Sequence, residues 1–464
     1  MRKIFFFLLP LIFSLQSPPK VFAVVQKWPV KLHSNSSVSL EGGENNNILF
    51  DSDVTTIYNK LTVYADADFD FSTEFELAAK SLEELEVDVF DAEASQSSPP
   101  PPSPPPPLLI ITSLIEDTTQ PKIYASDPAW NNFAFSVSLY IDTALIGAYA
   151  DDVGAQDSGS VYVFTRSSSN SMFTQQSKLY ASDPEYGNNF GYSVALHGDT
   201  ALIGAPLDDD SLTDSGSVYV FKRSDSDSTF TQQGKLHASV PVRLEHLGHS
   251  VALYGNTALI GAVYSNFGTV SSVGSVYTFT RSGSDEFFTQ QSNFFATDYA
   301  FADHFGNSVA LYEDTALVGA YHDDDNGKVN SGSVYVYRRS SSGAFIEQGK
   351  LYASDAAVSG TYGQGADAFG ISVALYGNTA LIGAFYDDDN GLESSGSVYI
   401  FKRSSSDSTT FTQYDKLHAS DPAEFDQFGV SVALHGNTAL IGAFYDDDNG
   451  GVKNSGSVYV FKAN

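Results

Sequence analysis

The second half of this sequence repeats itself, and the period limits what it can fold into. Gly-Ala pairs begin at Gly147, Gly204, Gly261, Gly319, Gly383 and Gly442, spaced 57, 57, 58, 64 and 59 residues apart. The glycine of a Gly-Ser-Val-Tyr run recurs in the same register at Gly159, Gly216, Gly274, Gly332, Gly396 and Gly456. Two independent anchors in step mark a true internal repeat, whose units bury their apolar faces against one another.

Each unit holds four short runs rich in Val, Ile, Leu, Tyr and Phe, separated by Gly, Asn, Asp and Ser. That pattern predicts strands, here termed A to D. In the last unit A ends at Leu434, a turn follows at His435 to Thr438, B is Ala439 to Ala443, and C starts at Gly456. Earlier units continue into D, as in Lys350 to Asp355. Four antiparallel strands per unit predict the blade of an all-β β-propeller, since a β-helix coil needs far fewer residues. A stray D-type segment, Lys122 to Pro128, precedes the first unit, while the last unit stops after C. The expected ring is therefore six four-stranded blades closed by an N-terminal strand, leaving no free edge. Seven blades is the alternative, and it would need a blade from the N-terminal region, which lacks both anchors.

Four segments are expected: a signal peptide over 1–23, an acidic region over 24–97, a linker over 98–107 and the repeat domain over 121–464. Arg2 and Lys3 precede an apolar run from Ile4 to Leu15, with small residues near Ala23, as in a secretory leader. Nothing later is long and apolar enough for a transmembrane segment in the mature chain. Asn35 opens a lone glycosylation sequon. Ser98 and Ser103 each precede four prolines, which lack backbone N–H groups and form a stiff extended rod. These two blocks resemble the repeats of extensins, the cell-wall glycoproteins of plants and algae. The expected location is therefore secreted, extracellular or cell wall.

Charge narrows the partners. The chain has 56 Asp and Glu against 24 Lys and Arg, a net charge of −32, which argues against nucleic acid. It has no cysteine, so disulfides, thiolate metal sites and cysteine nucleophiles are excluded.

Phe-Gly pairs at 190, 305, 369 and 428, followed by Gly-Ala, resemble the FG-GAP repeat of integrin α-chain heads and of secreted bacterial and algal proteins. Phe133-Ala134 and Leu247-Gly248 depart from the pair in units one and three. The resemblance implies a propeller, and integrin-type proteins have seven blades where this chain counts six. It also implies calcium loops between Phe-Gly and Gly-Ala, but here that interval holds only turns such as Gly377 to Thr379, too tight to wrap an ion.

Acid accumulates instead between B and C, with fourteen carboxylates in Asp151–Asp152, Asp208 to Asp210, Asp323 to Asp325, Asp387 to Asp389 and Asp446 to Asp448. Alternate members could ligate Ca²⁺ as a cofactor: Asp208 with Asp210, Asp323 with Asp325, Asp387 with Asp389, and Asp446 with Asp448. The other reading is a set of turns whose Asp side chains cap backbone N–H groups. Up-and-down blades place the B–C and D–A loops on one face, which gathers Asp127, Asp183, Asp298, Asp355 and Asp421 with these clusters. The opposite face is expected to be Ser-rich and mildly basic.

No catalytic constellation is identifiable. His197 and His435 exchange with Tyr from unit to unit, as do His237, His418 and His322, which suits aromatic packing. His246, His249 and His304 sit in irregular units without an evident acid or nucleophile partner. The favoured function is an exported binding or adhesion module presenting loops to an extracellular protein or carbohydrate, as the integrin resemblance implies. The alternative is a glycan-acting hydrolase or lyase, which would need paired carboxylates at a central channel.

Overall fold

The computed structural model describes residues 113–127, 131–224, 229–282, 287–324, 328–356, 367–388, 391–405, 408–447 and 455–463, with the backbone of short strands nearer the N-terminus. The chain divides into two units, Met1–Pro107 and Leu108–Asn464. In the first, a sheet runs in the order Lys3–Ile4, Val87–Asp91, Lys60–Ala65, Phe22–Gln26, and Val30–Lys31 pairs with Thr56–Ile57. The rest of the expected leader and acidic region, and all of the proline-rich segment, lie outside the described residues.

The second unit is a six-bladed propeller, and no helix occurs among its described residues. Blade 1 comprises Phe133–Tyr140, Thr143–Ala148, Ser160–Thr165 and Thr174–Leu179, strands A to D in antiparallel order. Blades 2 to 5 repeat this order from Ser193–His197, Leu247–Tyr254, Ser308–Tyr312 and Ser372–Tyr376. Blade 6 takes A, B and C from Ser431–His435, Thr438–Ala443 and Ser457–Ala463. Its fourth strand is N-terminal, Leu114–Glu116, with Leu114 opposite Ala463 and Glu116 opposite Phe461. Farther along, Ile123 bridges Val458. The closing strand thus begins ahead of the segment expected at 122, because a turn at Asp117 to Gln120 interrupts it. Asp117 fastens that turn to Lys462 at 2.6 Å.

The repeated motifs are the contacts between blades. Strand A lines the centre, and every strand A packs on its two neighbours around the ring. A Cβ on Gly204 would lie 2.0 Å from the carbonyl oxygen of Gly248 in the next blade, so only glycine fits. Beside it, the Ser193 hydroxyl donates to that same carbonyl at 2.7 Å. At the seam, Ser431 donates to Ala134 O at 2.7 Å, closing blade 6 onto blade 1 by the same device. Between neighbours lie apolar layers: Leu440, Val458 and Val460 of blade 6 pack with Phe133, Ile146 and Tyr162 of blade 1. Phe133, Phe190, Phe305, Phe369 and Phe428 are fully buried, each edge-on to the blade's Gly-Ser-Val-Tyr tyrosine at 5.1–5.3 Å.

Candidate functional site

In every blade but the third, the first acid of the B–C loop is neutralised inside the blade. In blade 2, Lys235 of strand D reaches Asp208 of the B–C loop at 2.8 Å and Asp183 of the D–A loop at 2.9 Å. The Tyr219 hydroxyl donates to both carboxylates, at 3.0 and 2.9 Å, and the ammonium stands 4.5 Å from the Tyr219 ring centre. Lys178, Lys350, Lys416 and Lys122 do the same in blades 1, 4, 5 and 6. This places both loops on one face. Burial works to raise the Asp183 pKa, but Lys235 and Tyr219 outweigh it and the carboxyl sits below its usual range.

Of the candidate calcium ligands, Asp208, Asp323, Asp387 and Asp446 are buried and face these lysines. Asp210 also pairs with Lys235, and its backbone N–H is capped by Asp208. Asp325, Asp389 and Asp448 lie outside the described residues. Among the described residues, no three His, Asp or Glu side chains gather as a metal site. Blade 3 breaks the pattern in concert, with Val240, Ser265 and Asn293 where the others have Asp, Asp and Lys. There Glu245 enters instead, accepting from Ser265 Oγ at 2.6 Å and from the Tyr277 hydroxyl at 2.7 Å.

At the opposite face an arginine closes strand C and crosses to the preceding blade. Arg223, Arg281, Arg339 and Arg403 donate to Thr143, Thr200, Thr257 and Thr315 at 2.7–2.9 Å, and Arg166 spans the seam to Thr438 at 3.2 Å. Blade 6 has Ala463 at this position.

The two ends of the channel differ in kind. On the A–B face, strand A ends in Tyr140, His197, Tyr254, Tyr312, Tyr376 and His435. They form an unbroken ring of aromatic contacts with centroid spacings of 4.9–5.2 Å. Burial, with His197 and Arg166 adding to it, holds the His435 imidazole down at about 4, so it is neutral there. On the other face the residue after Phe-Gly is Phe135, Tyr192, His249, Asn307, Ile371 or Val430, different in every blade. These residues line a cavity of about 400 Å³, rimmed by Tyr264, Tyr321, His322, Phe385, Tyr386 and Phe444.

A model of the FG-GAP repeat matches residues 118–164, 173–221, 230–279, 288–337, 345–401 and 411–461. The chain belongs to the FG-GAP repeat family. From the second on, each matched FG-GAP segment runs from one blade's strand D to the next blade's strand C, so the family unit straddles two blades. No curated protein matches the chain. Among solved structures, a putative 6-phosphogluconolactonase from Bacteroides fragilis is 12% identical, over 66% of this chain and 76% of that one. Its TM-score is 0.40, and that likeness carries no argument about activity.

Within this FG-GAP ring, His249 and His304, which have no acid or nucleophile partner evident in the sequence, meet amide and aromatic groups instead. His249 Nε2 stands 3.1 Å from Asn307 Oδ1, and Asn307 Nδ2 donates to Ile371 O at 2.9 Å. His304 stacks near His322 at 4.9 Å and near Tyr264 at 5.1 Å, while His249 lies 4.7 Å from Tyr192. Burial lowers His249 to about 3 and His304 to about 4. The available signal was the variation after Phe-Gly, which stands out once the constant Gly and Ser contacts are recognised as scaffold.

Proposed function

We propose that this FG-GAP protein is an exported binding module, and that the face formed by its D–A and B–C loops meets an extracellular protein or carbohydrate. The observation that carries this reading is the apolar equipment of that face. Tyr186, Val240 and Phe301 stand in successive D–A loops at 74–75% exposure among the carboxylates. Just before strand A, unit two has Gly187 at φ 75°, whereas units three, four and six hold Leu244, Ala302 and Phe425 at 60–68°. A left-handed backbone costs a non-glycine residue about 1–3 kcal/mol, and such strain collects at functional positions. Leu244 and Phe425 are half exposed, so burial within the propeller does not repay it.

The leader-like N-terminus supports export, and the serine–proline blocks favour a cell-wall or extracellular setting. No helix among the described residues is long and apolar enough to cross a membrane. The enzymatic alternative needs two carboxylates at the channel mouth, where the described lining side chains are aromatic, imidazole, amide, hydroxyl and aliphatic. Binding to arrays of glycans and purified matrix proteins tests the reading. At least one saturable interaction is expected, weakened about tenfold or more by Tyr186→Ser with Phe301→Ser. Binding untouched by that pair removes the face, and turnover of a bound glycan replaces a binding module with an enzyme.

A further inference from the structure

The channel mouth is built for a particular chemistry. Its six residues after Phe-Gly fall into three sectors: aromatic Phe135 and Tyr192 in blades 1 and 2, polar His249 and Asn307 in blades 3 and 4, aliphatic Ile371 and Val430 in blades 5 and 6. Phe135 and Tyr192 lean together at 4.7 Å between centroids, giving a broad apolar wall. The polar pair is pre-set. Because Asn307 Nδ2 donates to Ile371 O, its Oδ1 accepts from His249 Nε2–H, which leaves Nδ1 as the acceptor nitrogen.

Among the described residues, no side chain lining the cavity is an Asp, Glu, Lys or Arg, and burial keeps His249 uncharged at neutral pH. A charged ligand would lose its hydration there without an ionic partner. The surrounding face, rich in Asp, also repels anions. What fits is a neutral molecule with an apolar face and a polar edge. About 400 Å³ is within the range of about 300–1,000 Å³ typical of small-ligand sites.

We infer that the channel mouth seats an uncharged pyranose, the terminal residue of a neutral glycan. Its C–H face lies on the Phe135–Tyr192 wall and its hydroxyls meet the His249–Asn307 pair. This rests on the binding reading above and narrows it to one sugar class and one pocket. The opposite mouth, ringed by six contacting aromatics, makes the loop face the side of entry.

Titration calorimetry of the full chain with methyl glycosides of neutral hexoses and N-acetylhexosamines, and with methyl glucuronide, tests the inference. At least one neutral glycoside is expected to saturate, and glucuronide not to bind. His249→Ala with Asn307→Ala should weaken binding about tenfold or more, from two lost hydrogen bonds. Ile371→Trp, which keeps both polar groups but fills the cavity, should abolish it. Tyr312→Phe at the other mouth should leave it unchanged, and thermal melts of each variant identify any loss due to unfolding. No saturating neutral glycoside, or binding that survives both channel-mouth variants, overturns the inference. Array binding that is lost in the Tyr186→Ser, Phe301→Ser protein yet survives the channel-mouth variants leaves the face standing and removes the pocket.

Discussion

Strand A of every blade has two ends, and the ring treats them differently. At its far end it repeats Tyr or His six times, so each aromatic finds an equivalent neighbour and the circle closes. At its near end, one residue past Phe-Gly, six blades carry six different side chains around a cavity. A closed ring of equal contacts needs equal members. A pocket needs unequal ones, because a ligand presents a different chemistry in each direction. Both ends ride on the same Gly and Ser contacts, so the scaffold does not require the diversity of the near end.

The largest effect that would sharpen the contrast comes from acid. Burial depresses His249 and His304 at the near end and His435 at the far end to between about 3 and 4. Below about pH 6.5 the unfolded chain takes up protons that these native imidazoles refuse, so stability falls as pH drops toward 4. Denaturant midpoints measured from pH 8 to 4 should decline across that window. A flat profile would mean the imidazoles are not held neutral at either end.

Next comes the shared scaffold. Lys235→Met strands Asp208 and Asp183 without their cation and should destabilise by about 3–5 kcal/mol in urea unfolding. In blade 3, where Asn293 already replaces the lysine, Asn293→Met should cost less than about 1 kcal/mol. Equal losses would sink the view that the Lys–Asp–Tyr cluster locks the other blades.

The contrast itself is tested within one strand. Tyr312→Ala opens the aromatic ring and should cost about 2–3 kcal/mol, whereas Val430→Ala at the cavity should cost about 1 or less. If the two are alike, the near end is core and not site.

The smallest effects lie on the two sides of blade 6. Ala134 occupies a Phe-Gly glycine position at φ 73°, so Ala134→Gly should stabilise by about 1 kcal/mol. Ala463→Arg, supplying the missing partner of Thr379, should add about 1 kcal/mol more. Thermal melts read both.

Much of this was legible because a repeat states the same contact six times. Gly-Ala, Phe-Gly and Gly-Ser-Val-Tyr recur since each backbone approach between blades recurs, and the stray Lys122 segment pointed to closure. The exact closing register was not legible: Leu114 to Glu116 carry no motif, and their pairing depends on where the chain end meets Ala463. Nor was the fate of the acids. Asp208 and Asp210 look alike in sequence and both meet Lys235 of strand D, but only Asp208 is buried inside the blade. The partner of His249 was hidden for a related reason. Comparing units one at a time shows His322 exchanging with Tyr, while His249 meets Asn307 only because neighbouring blades set equivalent positions side by side.

By itself, then, the sequence determined the blade, the count and the sealed ring, because periodic glycine and apolar spacing leave a chain few ways to bury its strands. Only the tertiary structure decided which acids are neutralised inside and which residues face one another across the channel. Those are contacts between positions dozens of residues apart, and no local pattern encodes the angle at which one blade meets the next.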